Sequence, residues 1–222
     1  MKQALWKNIL SYLTEIHIES APSEINPHLY VSLRNARYQL CTANAIYSYA
    51  DLYDNFYKVF KQIPFEKYAF QKVLILGFGL GSIPWMLEKN FKQAFNYTAV
   101  EVDESVVYLA NKYVLDELES PIQLICTNAQ AFVAQWQERF DLICMDIFLD
   151  DIIPDSFQTT AFLEQLQSLL TKEGLLLYNC LAANKDDRAK TKTFFETSFS
   201  TVFPKANYLD VTSNWILLNH PL

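Results

Sequence analysis

Three of the chain's four glycines stand within five residues, in the run Val73-Leu74-Ile75-Leu76-Gly77-Phe78-Gly79-Leu80-Gly81-Ser82. Glycine has no Cβ and tolerates positive φ, so a ligand can approach such a turn closely. A helix beginning just beyond it would add free N–H groups. Acidic and amide side chains recur at later intervals. Glu101 lies 24 residues after Gly77, near the offset at which a carboxylate meets ribose hydroxyls. Asp103 follows, suited either to the same task or to capping a helix. Asn128, preceding Ala129, is placed either to accept from an adenine amino group or to cap the next helix. Asp146 closes the run Phe140-Asp141-Leu142-Ile143-Cys144-Met145-Asp146, where an acid can orient or deprotonate a reacting group. Asp150, Asp151 and Asp155 add an acidic stretch behind it, which reads equally well as an exposed loop.

These positions need a scaffold. Val73–Leu76, Tyr97–Val102, Ile122–Cys126, Asp141–Asp146 and Leu175–Cys180 read as strands buried on both faces. They alternate with helical stretches at Ser82–Lys89, Glu104–Val114, Ala129–Gln137, Thr159–Leu170 and Asp186–Ser198. Val202–Val211 and Asn214–Asn219 read as a closing hairpin, and Gly174 as a helix end. The pattern predicts an α/β fold, a Rossmann-like seven-stranded sheet, parallel with a C-terminal antiparallel hairpin. In such sheets ligands bind beyond the carboxyl ends of the strands, where the glycine turn and the acids fall. Before it, Lys2–Glu15 reads as a helix with Leu5, Ile9, Leu13 and Ile16 on one face. Leu29–Leu33, Arg37–Thr42 and Ala45–Tyr49 read as a small antiparallel sheet, and Tyr49–Lys61 as a helix. Residues 1–70 therefore form an N-terminal helix and small sheet, and residues 71–222 the ligand-binding domain.

Composition narrows the function. With 51% hydrophobic and 19% charged residues among 222, the chain is globular. A net charge of −7 argues against a nucleic-acid partner, and no apolar run approaches the roughly 20 residues of a membrane helix. Four scattered cysteines and no leader-like apolar core suit a reducing cytoplasm. His17, His28 and His220 are too scattered for a metal site. Cys126 and Cys144 read as buried thiols. The GxGxG spacing, whose dinucleotide counterpart would need a third glycine at Ser82, favours S-adenosylmethionine over NAD.

With these residues in place, the chain resembles the spermidine synthase-like branch of the class I methyltransferase fold. VLILGFGLGS resembles that family's VLIIGGGDGG, AVEVD its VEID, TNAQAF its DA segment and FDLICMD its YDVIIxD. The resemblance implies a nucleoside-sulfonium site. Gly77, Phe78, Gly79 and Gly81 would lie against the donor, Glu101 and Val102 at the ribose, and Asn128 and Ala129 at the adenine. Asp146 would face the reacting amine, with Tyr47, Asp150 and Asp151 toward the substrate. The N-terminal helix and hairpins would be available for a homodimer, as in that family. Two departures stand out. Leu80 replaces the acid that holds the donor's aminopropyl ammonium, and Leu149 replaces the second acid of a DxxDP loop. Leucine cannot neutralise an ammonium, and the bulky Phe78 ring would narrow the donor pocket. The expectation is thus an S-adenosylmethionine-dependent transferase, methylating a small amine or other small nucleophile. The alternative is aminopropyl transfer from decarboxylated S-adenosylmethionine, and a second is a non-catalytic adenosyl-binding or scaffold protein.

Overall fold

The computed structural model describes residues 3–43 and 45–222. An antiparallel sheet in the order β1-β2-β3-β4 comes first, from Ile16–Ser20, Tyr30–Arg34, Arg37–Cys41 and Ile46–Ser48. The second sheet has strands β5 (Lys72–Leu76), β6 (Asn96–Glu101), β7 (Ile122–Cys126), β8 (Phe140–Met145), β9 (Leu170–Leu181), β10 (Asn207–Asp210) and β11 (Asn214–Leu218). Their order is β10-β11-β9-β8-β5-β6-β7. Strands β5 to β9 pair in parallel, and β11 enters antiparallel between β9 and β10. This is the parallel sheet with an antiparallel hairpin expected from the alternation, in the class I methyltransferase-like form that the resemblance implies.

Strand alternation explains why the central runs are apolar throughout. Val73 and Ile75 of β5 point into one buried cluster with Leu142, Cys144, Leu175 and Leu177. Leu74 and Leu76 point into the other with Ile143, Met145, Leu176 and Tyr178. Helices cover both faces, so residues 73–76, 142–145 and 175–180 are buried at every position. The first cluster also takes in Leu29, Val31 and Leu40 of the N-terminal sheet, as well as Ile216 and Leu218 of β11.

Helices α2 (Asp54–Phe60), α3 (Ser82–Lys89), α4 (Glu104–Tyr113), α5 (Ala129–Gln135), α6 (Thr160–Ser168) and α7 (Lys185–Phe194) follow the short α1 (Leu5–Leu10). Side-chain oxygens start four of them. Asp103, Asn128, Thr159 and Asn184 accept from N–H groups in the first turns of α4, α5, α6 and α7, each worth about 1 kcal/mol. Asp141 does a different job, accepting from the Gln71 and Lys72 amides at 3.0 Å and so fastening the start of β5 to β8.

Several expectations are corrected. The first helix is six residues long rather than running to Glu15, Ile16 opens β1, and Lys2 lies outside the described residues. Leu5, Ile9 and Leu13 are 75, 62 and 84% exposed, so the expected apolar face is not packed on this chain. Helical spacing in a short segment cannot reveal that the chain lacks a surface to receive it. Gly174 ends no helix but lies within the twelve-residue β9. The last helix runs on through a π-turn at Phe195–Phe199, leaving β10 only four residues. Cys126 is exposed at the end of β7 rather than buried.

Candidate active site

The carboxyl ends of the parallel strands are held level by backbone bonds. The Gly77 amide donates to the Val100 carbonyl, that of Asp146 to Leu76, and that of Thr127 to Glu101. Across this edge the order is Asn128 after β7, Glu101 on β6, Gly77 after β5, Asp146 after β8, Asn179 on β9 and Asn214 at the start of β11. A cavity of about 510 Å³ opens over them. Tyr47, Asp150 and Asp151 lie on its wall together with Asn26, Tyr53 and Asn55 from the N-terminal half.

Glycine is required at the loop for steric reasons. Gly77, Gly79 and Gly81 have φ of +86°, +55° and +72°. A Cβ on Gly77 would lie 2.3 Å from the Asp146 carbonyl oxygen. One on Gly79 would crowd Ser48 and the Tyr47 carbonyl, because β4 closes down on the loop. Ser48 and Ser82 hydroxyls meet at 2.6 Å, tying that sheet to the start of α3. Gly77 and Gly79 line the cavity, as do Glu101, Val102, Asn128, Ala129 and Asp146.

Phe78 and Gly81 are not on the wall. The left-handed turn directs the Phe78 ring downward into the core, beneath Gly81, where a Cβ would meet the ring at 2.8 Å. The ring therefore does not narrow the donor pocket. Leu80 is also buried, in the wall of a separate small pocket beside Arg37 and Trp85. Its side chain does not face the donor cavity. Leu149, the other departure, is half exposed at the mouth of a tight turn.

Glu101 is poised at the loop. Its oxygens accept from the amides of Gly79 (3.2 Å), Val102 (2.9 Å) and Asp103 (3.1 Å). Burial raises its carboxyl above the usual range, and these three amides oppose the rise. Oε1 takes both the Val102 and Asp103 amides, so Oε2, which accepts only from Gly79, is the oxygen that retains a lone pair for a hydroxyl. Asp103 instead faces inward. It caps α4 and accepts from Ser23 and from Asn26 Nδ2 (2.6 Å). Asn128 caps α5, its oxygen accepting from Gln130 (2.8 Å) and Ala131 (3.2 Å). What it can offer an adenine ring is therefore its NH₂ group.

Asp146 lies on the cavity wall at the middle of this edge, between Gly77 and Asn179. Its Oδ1 accepts from Asn179 Nδ2 at 2.8 Å and from the Tyr53 hydroxyl at 3.1 Å. Asn179 Oδ1 in turn accepts from Asn214 Nδ2 at 2.9 Å. Burial pushes the Asp146 carboxyl up to about 7, with the Glu101 charge adding to the rise and the two donors opposing it. A carboxyl titrating there can take a proton from an incoming nucleophile near neutral pH.

Tyr47 organises the lid. Its hydroxyl donates to Asn26 Oδ1 (2.8 Å) and accepts from the Asp150 amide (2.5 Å). Asp150 sits at φ +55° in the turn joining Leu149 and Ile152, and its carboxylate accepts from the Thr42 hydroxyl. Tyr47→Phe removes the anchor while leaving the ring. The Asp150 amide is expected to exchange with solvent about ten-fold faster, as read by hydrogen exchange.

The sequence reading missed Asn26, Tyr53, Asn55, Asn179 and Asn214. Tyr47 pointed toward this region, but isolated asparagines carry no spacing signal.

A model of the spermine/spermidine synthase domain matches residues 58–213. The chain belongs to the spermine/spermidine synthase family. Among proteins similar to this family member is the "probable polyamine aminopropyl transferase" of Bifidobacterium longum (strain NCC 2705). It is 26% identical over 136 residues, covering 61% of this chain and 30% of that protein. The polyamine aminopropyltransferase of Vibrio vulnificus (strain CMCP6) is 25% identical over 118 residues, 52% of this chain and 39% of the relative. The match thus spans less than half the length of either relative. A probable spermidine synthase structure from Corynebacterium glutamicum ATCC 13032 shares the fold of this spermine/spermidine synthase family chain. Its TM-score is 0.70 at 16% identity, with 91% of this chain and 78% of that chain covered. Among the described residues, no helix is long and apolar enough to cross a membrane, and no group of three or more His, Cys, Asp or Glu is arranged to hold a metal ion.

Proposed function

We propose that the chain transfers an aminopropyl group from a decarboxylated S-adenosylmethionine donor to an amine. One observation carries this reading. The cavity wall holds four carboxylates (Glu101, Asp146, Asp150 and Asp151) and, among the described residues, no lysine, arginine or histidine. S-adenosylmethionine would bring its own carboxylate into that field with no cation to meet it. The decarboxylated donor brings only a sulfonium and an ammonium, which an anionic cavity favours. Family membership supports the same choice over methyl transfer. Leu80 is turned into the core and neither crowds nor pairs with the donor's ammonium, which leaves Asp150 and Asp151 on the cavity wall as the carboxylates to meet it.

The residues present suit the nucleoside. Gly77 and Gly79 permit close approach, Glu101 would accept from ribose hydroxyls, and Val102, Asn128 and Ala129 would flank the base. In the transfer, the amine lone pair forms a C–N bond at the carbon beside sulfur. The C–S bond breaks, its electron pair stays on sulfur, and neutral methylthioadenosine leaves. Asp146 would orient the amine and accept the proton that nitrogen sheds, with Tyr53 and Asn179 fixing the carboxylate. Positioning of this kind supplies much of the acceleration in a two-substrate displacement.

Calorimetric titration with the decarboxylated donor, S-adenosylmethionine, S-adenosylhomocysteine and NAD tests the reading. The decarboxylated donor is expected to bind at least about ten-fold more tightly than S-adenosylmethionine. Glu101→Ala should weaken it by about 10- to 10²-fold, since the charge-assisted bond from a ribose hydroxyl to Oε2 is lost. Tighter binding of S-adenosylmethionine would return methyl transfer to first place, and binding of NAD alone would overturn the site.

A further inference from the structure

We infer that the acceptor is a small amine with a neutral hydrogen-bonding tail, such as an amino alcohol, rather than a diamine. The inference rests on the transfer proposed above and concerns the half of the cavity beyond Asp146.

The sheet divides the cavity. Strands β5, β6 and β7 present the glycine loop, Glu101 and Asn128, which would take the nucleoside. On the other side of Asp146 lie β9 and β11 with Asn179, Leu181 and Asn214, and the start of α2 with Tyr53 and Asn55. An acceptor whose amine meets Asp146 must extend its far end among these groups. Every polar side chain there is neutral. The other acids on the cavity wall lie elsewhere. Glu101 is held at the donor loop by three amides. Asp150 is drawn toward Thr42 and Tyr47 on the lid, with Asp151 beside it. Asp54 pairs with Lys58 and Asp210 with Arg188, and neither lines the cavity.

The hydrogen-bonding capacity of this half is also mixed. Asn179 uses both ends of its amide, toward Asp146 and Asn214. Asn55 Oδ1 accepts from the Phe56 amide and its NH₂ donates toward the Tyr53 hydroxyl, leaving its second N–H as a donor, whereas Asn214 retains its oxygen. A hydroxyl can use both, accepting from one and donating to the other. A second ammonium can only donate, and it would be desolvated with no carboxylate to pair with.

The test uses the full chain saturated with methylthioadenosine, titrated with 4-aminobutan-1-ol, 1,4-diaminobutane and butylamine. The amino alcohol is expected to bind about ten-fold more tightly than the diamine. Asn55→Asp, which exchanges one NH₂ for a charged oxygen, should reverse that order. Diamine binding as tight as the amino alcohol in the unmodified chain, or no amine binding at all, would overturn the inference whatever the variant does. Failure of methylthioadenosine itself to bind would instead sink the transfer reading, and the acceptor assignment with it.

Discussion

Asp146→Asn is expected to lower kcat about 10³-fold while leaving donor affinity within a few-fold. The asparagine keeps an oxygen to accept from Tyr53 and Asn179, so the site's shape survives. It loses the ability to take a proton. In the unmodified chain the rate should rise with pH and level off above about 7, where burial has placed the carboxyl. The same substitution has an opposite effect on stability. The folded carboxyl binds its proton more tightly than the ordinary aspartate of the unfolded chain. Between pH 4 and 7 the folded state therefore holds more protons, and stability falls as pH rises through that window. Removing the charge relieves this cost. At pH 8 the variant should melt a few degrees higher than the unmodified protein, and near pH 4 the difference should vanish. Equal activity of the two proteins would remove Asp146 from the chemistry.

Gly77→Ala is expected to abolish nucleoside binding and to lower the melting temperature by roughly 6–12 °C, corresponding to about 3 kcal/mol. Two effects combine. The residue sits at φ +86°, which costs a side chain about 1–2 kcal/mol. The added Cβ would also fall 2.3 Å from a backbone oxygen, and backbone cannot rotate away as a side chain can. The loop and the end of β8 must then separate, carrying Asp146 out of line. Calorimetry with methylthioadenosine and a thermal melt check both parts. Retained binding would show that the loop tolerates a spacing the structure denies it.

How legible this was in the sequence differs from one half of the cavity to the other. The donor half is local. The glycine loop after β5 and Glu101, 24 residues after Gly77, lie at the ends of adjacent strands, so spacing along the chain becomes proximity in space. Two residues within it were still misjudged. Phe78 and Leu80 were read as facing the ligand, but positive φ at the flanking glycines turns both into the core. Asn128 left two roles open, and the cap on α5 is the one seen. The acceptor half is non-local. Tyr53, Asn179 and Asn214 converge only because β11 inserts beside β9, an arrangement that no short motif encodes. β1 was missed for a related reason. Ile16 continued the helical spacing of the residues before it, and only pairing with β2 makes it a strand.

The buried cluster that runs from Leu29, Val31 and Leu40 to Ile216 and Leu218 sets an order on folding. The N-terminal sheet is made before the strands of the second sheet, yet the buried cluster it shares with them is completed by β11, the last of those strands to be made. Until those residues emerge, the cluster on the apolar side of the N-terminal sheet is unfinished. The cavity must therefore form late and by long-range closure, the slow route for a chain of this topology.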